Sequence, residues 1–458
     1  MKTKRKGLRT FLVALFVTLG LSAALTGAAS AAAVSYRDAN GATKTAPSAT
    51  SVTSSDTAWG AADTENWYVV NDAGVTINGR ITVTGDVHLI LADGAKLTAR
   101  WGINVSDGNS LTIYGQTNGT GELIAGIKNA GVDGHLAGIG GNSRESGGTI
   151  TINGGKVTAQ GSYSAAGIGG DGGKITVNGG TVNATGDSHG AGIGGGGHES
   201  GDGGGGEITV NGGTVTAQGG DSGAGIGGGR LGDGGKITVS GGTVEATGGV
   251  GSAGIGGGNV GFGGEITISG GTVEATGGDG GAGIGDGGDG GDGKITISGG
   301  TVTAQGNGDG AGINAILTLT WTEAVFDEMS VKASSYNKDV IMELPFALKD
   351  SDEVLTVDNL ITDKTADGKE IFPAHAGPIP YLERDTDTTA QECETYAFVT
   401  RSTTAWDNGT ETWYVVYSSV TISERITVTG DVRLILCDNA KLTASAGITV
   451  TGDNKLTI

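Results

Sequence analysis

Apolar and polar residues alternate with period two, in short bursts, from residue 150 to residue 304. In "ITISGGTVEATGG" (266–278), Ile266 and Ile268 fall on one side and Thr267 on the other. Beyond Gly270 and Gly271, Val273 and Ala275 share a side, opposite Thr272, Glu274 and Thr276. Alternation of this kind predicts short strands with one buried edge. A third short segment, Ala282-Gly283-Ile284, closes the unit. The pattern I-T-[VI]-[NS]-G-G-[TK]-V starts at Ile150, Ile175, Ile208, Ile237, Ile266 and Ile295, with spacings of 25, 33, 29, 29 and 29. A second marker, A-G-I, starts at Ala137, Ala166, Ala191, Ala224, Ala253, Ala282 and Ala311 and keeps step with it. Length varies only between A-G-I-G and the next I-T-[VI], which predicts a single exposed loop per unit.

Three short strands with glycine corners, closed in about 29 residues, describe one coil of a parallel β-helix. The expected class is therefore all-β, a right-handed parallel β-helix solenoid capped by irregular β segments. A lone coil has too few apolar side chains to offset the ordering of its backbone. Stacking, which pairs each strand above and below and completes an Ile/Val/Ala column, supplies what the coil lacks. A flexible glycine linker would not hold Ile and Val in register through successive units, and the hexapeptide period of a left-handed β-helix is missing.

A larger repeat encloses the smaller one. "AWGAADTENWYVVNDAGVTINGRITVTGDVHLILADGAKLT" from residue 58 returns as "AWDNGTETWYVVYSSVTISERITVTGDVRLILCDNAKLT" from residue 405. The expected organisation is a signal peptide (1–33), an N-terminal cap with first irregular coils (34–125) and glycine-rich β-helix repeats (126–316). A closing β segment and linker (317–378) and the start of a second, truncated copy (379–458) follow. The second copy stops in mid-module at Ile458, so the sequence is expected to be a piece of a longer protein.

Composition adds compartment and charge. Lys2, Lys4, Arg5, Lys6 and Arg9 precede the apolar run "FLVALFVTLGLSAAL" and the small-residue stretch "TGAASAAA", the layout of an export signal. The mature chain is expected to be extracellular and surface-associated, monomeric and not inserted in a membrane. Of 458 residues 93 are Gly, and the formal net charge is −21. Such acidity repels nucleic acid and anionic membranes. Cys393 and Cys437 have no counterparts in the first copy, so either a disulfide or isolated thiols fit an exported chain.

Candidate chemistry lies on the outward columns. Thr151, Thr176, Thr209, Thr238, Thr267 and Thr296 recur once per coil on the first strand, and Lys156, Thr181, Thr214, Thr243, Thr272 and Thr301 on the second. Stacked strands would space them by about 4.8 Å, a ladder suited to a polysaccharide, although Thr also favours exposed strand positions for its own sake. Asn183, Glu245 and Glu274 interrupt the neighbouring column, which argues against a regular lattice for ordering ice. Glu245 and Glu274 are expected in consecutive coils. Asp286, Asp289 and Asp292 in "GDGGDGGDGK" offer oxygen ligands of the kind calcium takes, or a solvated acidic loop. The histidines (88, 135, 189, 198, 375) form no metal spacing and no nucleophile elbow is present, so no catalytic residue is assigned.

The motifs "WYVV…VTI…RITVTGDVHLILADGAKLT…LTIYGQ" and the "ITISGGTV…AGIGGG" coils resemble exported bacterial glycine-rich right-handed parallel β-helix proteins. The coils are also similar to a clostridial-type secreted β-helix family that binds cellulose and pectin and carries calcium. The resemblance implies an adhesin, stalk or carbohydrate-binding module. Because pectin-type lyases and hydrolases share the scaffold, a polysaccharide-active enzyme stays open, as does a purely structural spacer.

Overall fold

The computed structural model describes residues 32–126, 134–142, 145–197, 203–288, 291 and 293–320, with shorter stretches at 330–334, 340–343, 361–364, 370–375, 379–382, 391–393, 396–399, 404–407, 413–416, 419–436 and 441–458. Nearly all of the proposed signal peptide, together with Asp289, Asp292, His198 and Cys437, lies outside them. Every regular element among the described residues is a strand. From Ala32 to His375 these strands join one hydrogen-bonded assembly, paired in parallel coil upon coil except at its two ends. The protein is an all-β parallel β-helix.

Each coil contributes one strand to each of three faces. In one coil these are Lys174–Val177, Thr181–Thr185 and Ile193–Gly194. They pair with Glu207–Val210, Thr214–Gln218 and Ile226–Gly227 of the next coil, residue for residue. The period-two pattern resolves as anticipated. Ile175, Ile208, Ile237, Ile266 and Ile295 are at most 1% exposed and run in one buried column. Val182, Val215, Val244, Val273 and Val302 form a second column from the second face, and Ile193, Ile226, Ile255 and Ile284 a third. All three belong to one core, which reaches from Val52 to Ala333.

Glycine is obligatory where coils touch. Gly227 ends its third-face strand at φ +132°, and a Cβ there would lie 2.0 Å from the carbonyl oxygen of Gly256 in the next coil. Gly242 makes the corner between the first two faces at φ +81°, with a Cβ position 2.6 Å from the Gly213 oxygen. Both backbone conformations strongly favour Gly.

The variable segment after the third face differs from the single exposed loop anticipated from length variation. Gly228, Gly229, Gly232 and Gly234 are buried. The segment binds its neighbours through backbone bonds such as Gly229 N to Gly203 O (2.8 Å), Gly258 N to Gly232 O (3.0 Å) and Gly287 N to Gly261 O (2.9 Å). The turns between second and third faces do likewise, through Gly220 N to Gly190 O and Gly249 N to Gly223 O (both 2.9 Å). Residues without side chains let these loops stack as closely as the strands do, so only the tips reach solvent.

The ends depart from the coil. Ala32–Arg37 and Thr43–Ser51 form an antiparallel pair. From there parallel rungs run through Trp67, His88 and Thr112 to Thr151. Arg80 ties this part together. It donates to the carbonyls of Trp101 (2.7 Å), Ala137 (2.5 Å) and Gly140 (3.2 Å) and to Asn142 Oδ1 (2.9 Å). Burial pulls its pKa down to about 10, opposed by Glu145. Beyond Asn314, Ile316–Thr320 and Ser330–Ala333 add parallel rungs to the first two faces, and the antiparallel strand Glu370–His375 covers the latter. In the second copy, Trp406 stacks on Tyr414 at 5.4 Å and 20°, repeating Trp59 on Tyr68 at 5.5 Å and 23°.

Replacing Gly227 by Ala should lower stability at least twice as much as Gly280→Ala. The latter site has φ +76° but open space around its Cβ, so its cost should be about 1–2 kcal/mol. Urea unfolding monitored by circular dichroism measures both.

Candidate functional site

The second face carries the densest run of outward polar side chains. Its strands are five residues long, with inward Val and Ala and three outward positions each. The first outward column reads Lys156, Thr181, Thr214, Thr243, Thr272 and Thr301, and its five threonines are exposed. The second reads Thr158, Asn183, Thr216, Glu245, Glu274 and Thr303. The third reads Gln160, Thr185, Gln218, Thr247, Thr276 and Gln305. Glu245 and Glu274 are direct partners in register and both exposed. Hydroxyl, amide and carboxylate groups thus line one parallel sheet at the strand spacing of about 4.8 Å.

The first face places its threonines differently. Thr151, Thr176, Thr209, Thr238, Thr267 and Thr296 stack in register, and the column runs on to Thr112 on one side and Thr318 on the other. All six are half-buried, which leaves less of each hydroxyl for a ligand than the second face offers. On one side of them lies a column that sequence reading passed over: Lys174, Glu207, Lys236, Glu265 and Lys294, alternating in sign from rung to rung. Lys174 Nζ lies 3.2 Å from Glu207 Oε2. On the other side, at the corner, is an amide ladder. Asn178 Nδ2 donates to Asn153 Oδ1 (2.7 Å), Asn211 Nδ2 to Asn178 Oδ1 (2.8 Å), and Ser240 Oγ to Asn211 Oδ1 (2.8 Å). The alternating signs sat in plain view at the residue before the last five of the six I-T-[VI] starts.

The first rungs of that face end in aromatic rings. Trp67 stacks on His88 at 4.3 Å and 13°, and His88 lies 5.8 Å from Tyr114 at 24°. Tyr36, from the N-terminal hairpin, meets Trp67 at 5.0 Å and Tyr114 at 4.5 Å. His88 Nδ1 is 3.0 Å from the Tyr114 hydroxyl, and its Nε2 faces Asp86 (3.3 Å) and Glu65 (3.6 Å). Trp67 Nε1 donates to Glu65 (2.8 Å). Burial first, then the neighbouring Tyr36 and Asp86, push the Tyr114 hydroxyl up to about 12. The second copy rebuilds the cluster with Tyr381 at 4.7 Å from Trp413 and the Arg433 guanidinium 4.8 Å above the Trp413 ring. Arginine at the histidine position sets a guanidinium over the corresponding indole.

Of the three aspartates considered for calcium, Asp286 is fully buried, and its Oδ1 accepts the backbone N–H groups of Gly263 (2.6 Å) and Gly293 (3.1 Å). It sits where neighbouring coils have Gly228 and Gly257, and it serves the backbone. Among the described residues no group of three or more His, Cys, Asp or Glu side chains is placed to hold a metal ion, and no helix is long and apolar enough to cross a membrane. Cys393 is buried beside Tyr396, Val415 and Ile435.

Lys236→Glu, which sets like charges on three consecutive rungs, should cost about 0.5–1 kcal/mol at low ionic strength. The loss should shrink in 0.5 M NaCl, and thermal melts at two salt concentrations measure it.

Residues 150–173, 175–197, 208–230, 237–259, 266–288 and 295–313 each match the family model described as Beta helix repeat. No curated protein and no solved structure matches the chain. The six matched segments are successive coils of the parallel β-helix, each beginning at the buried first-face isoleucine.

Proposed function

We propose that this is an exported, surface-displayed β-helix that binds polysaccharide without turning it over, as an adhesin or carbohydrate-binding module. The observation that carries the reading is the second face, where five exposed threonines in one column lie beside Asn183, Glu245 and Glu274 and a Thr/Gln column. A rigid sheet presents these groups at fixed spacing, so an extended sugar chain lying across the rungs meets donors and acceptors that need no reordering. Individual contacts of this kind are weak. Their repetition along one scaffold multiplies them, and a long glycan chain engages several rungs together. The acidic surface disfavours anionic polymers, which points to neutral glycans such as cellulose-type chains, with calcium-bridged pectin as the charged exception. Signal-like residues at the N-terminus support display outside the cell.

The competing reading is a polysaccharide-active enzyme on the same scaffold. Its best pair of carboxylates is Glu245 and Glu274, adjacent in register on an open face. Both are exposed in the same way, whereas acid–base chemistry sets two carboxyl groups in different environments.

Binding to a neutral and acidic glycan array tests the proposal. The triple change Thr214→Arg, Thr243→Arg, Thr272→Arg should reduce glycan binding at least ten-fold with an unchanged circular dichroism spectrum. Reducing-sugar and unsaturated-product assays should stay at background. Turnover abolished by Glu245→Gln would replace the proposal with the enzymatic reading.

A further inference from the structure

Where the variable loops reach solvent, they present apolar side chains on a backbone that disfavours them. Leu231 and Val260 occupy the same place in consecutive coils and both adopt left-handed backbone, at φ +61° and +66°. In the other loops the same conformation falls to glycine at Gly172 (φ +69°), Gly251 (φ +67°) and Gly280 (φ +76°) and to Tyr163 (φ +54°) and Ser188 (φ +44°), none of them β-branched. A branched side chain at positive φ is a genuine outlier, above all for Val. Core burial does not offset the strain, since Leu231 is 37% and Val260 46% exposed. Phe262 and Val250 are 52% and 58% exposed.

The four residues share one edge. Leu231 N donates to the Asn259 carbonyl (3.0 Å), next to Val260, and Asn259 Nδ2 donates to the Val250 carbonyl (3.0 Å), which joins the two loop series. Carboxylates border them. Val250 lies between Asp221, whose carbonyl accepts its N–H, and Asp279, whose carbonyl accepts from Gly251. Phe262 N donates to Asp233 Oδ1 (2.9 Å). All three aspartates are exposed. Strained residues that survive in a fold tend to mark the places where it works.

The geometry points to this edge as a docking surface for a polypeptide segment that carries apolar side chains between lysines or arginines. Charge decides the occupant. The rim sets three exposed aspartates against one cation, Arg230 beside Leu231, and the chain carries a formal net charge of −21, so a second copy would be repelled while a basic partner would be drawn in. The surface is separate from the threonine face and does not depend on it.

The test uses the full chain and three synthetic peptides measured by fluorescence anisotropy: an amphipathic Leu/Lys peptide, the same peptide with Glu for Lys, and the same peptide with Ser for Leu. Only the Leu/Lys peptide should bind. In the triple variant Leu231→Gly, Val260→Gly, Phe262→Gly its dissociation constant should rise at least ten-fold. The melting temperature should stay level or rise, because two strained positions are relieved. Equal binding of the Ser/Lys peptide would reduce the effect to bulk charge and overturn the proposal. So would unchanged affinity in the variant, or a fall in melting temperature showing that these side chains pack. Self-association of the wild-type chain, lost in the variant by sedimentation velocity, would overturn the choice of occupant.

Discussion

Backbone hydrogen bonding from coil to coil governs this molecule. Each strand is an edge until another coil lies on it, and an edge leaves a row of unmet N–H and C=O groups. Parallel stacking satisfies them only if every coil traces the same path through space. Ile175, Ile208, Ile237, Ile266 and Ile295 therefore repeat one side chain at one place. A larger residue in one coil would push its neighbours out of register, and a smaller one would open a gap in a continuous column.

Glycine extends the same rule beyond the strands. In most solenoids loops leave the stack and vary freely. Here the segments after the third face keep their backbones in contact, as Gly229 with Gly203 and Gly258 with Gly232 show. A side chain at most of these positions would meet the backbone of an adjacent coil or of its own turn. The glycine content is thus a packing device, and length can vary between coils only where an added stretch is either itself glycine or reaches solvent.

The regular interior was legible from the sequence because its cause is periodic: alternation gives the strands, and constant spacing gives the column. The outward threonine columns were legible for the same reason. Sequence alone did not separate their exposures, since Thr176 and Thr181 read alike but one is half-buried and the other exposed. The alternation of Lys174, Glu207, Lys236, Glu265 and Lys294 was visible, yet it takes meaning only once those residues are known to be neighbours. The ring stack of Trp67, His88 and Tyr114 was hidden because its members are 21 and 26 residues apart in the chain and Tyr114 lies two residues past Thr112, the register partner of His88. The buried role of Asp286 was hidden too, because composition cannot tell a carboxylate facing solvent from one facing two amides.

Uniform interiors create a hazard that the outer surface has to remove. Coils with the same Ile, Val and Gly positions could pair with the wrong neighbour at little energetic difference, sliding the stack by one rung. The Lys/Glu column acts against that slip. Moving Glu207 one coil along sets it beside Glu265 in place of Lys236, a like-charge contact where an opposite-charge one stood. The Asn153–Asn178–Asn211 ladder does not discriminate in this way, because its members are identical, and it contributes hydrogen bonds without register. Stability and specificity are thus assigned to different columns of one face: identical residues hold the rungs together, and alternating residues decide which rungs they are.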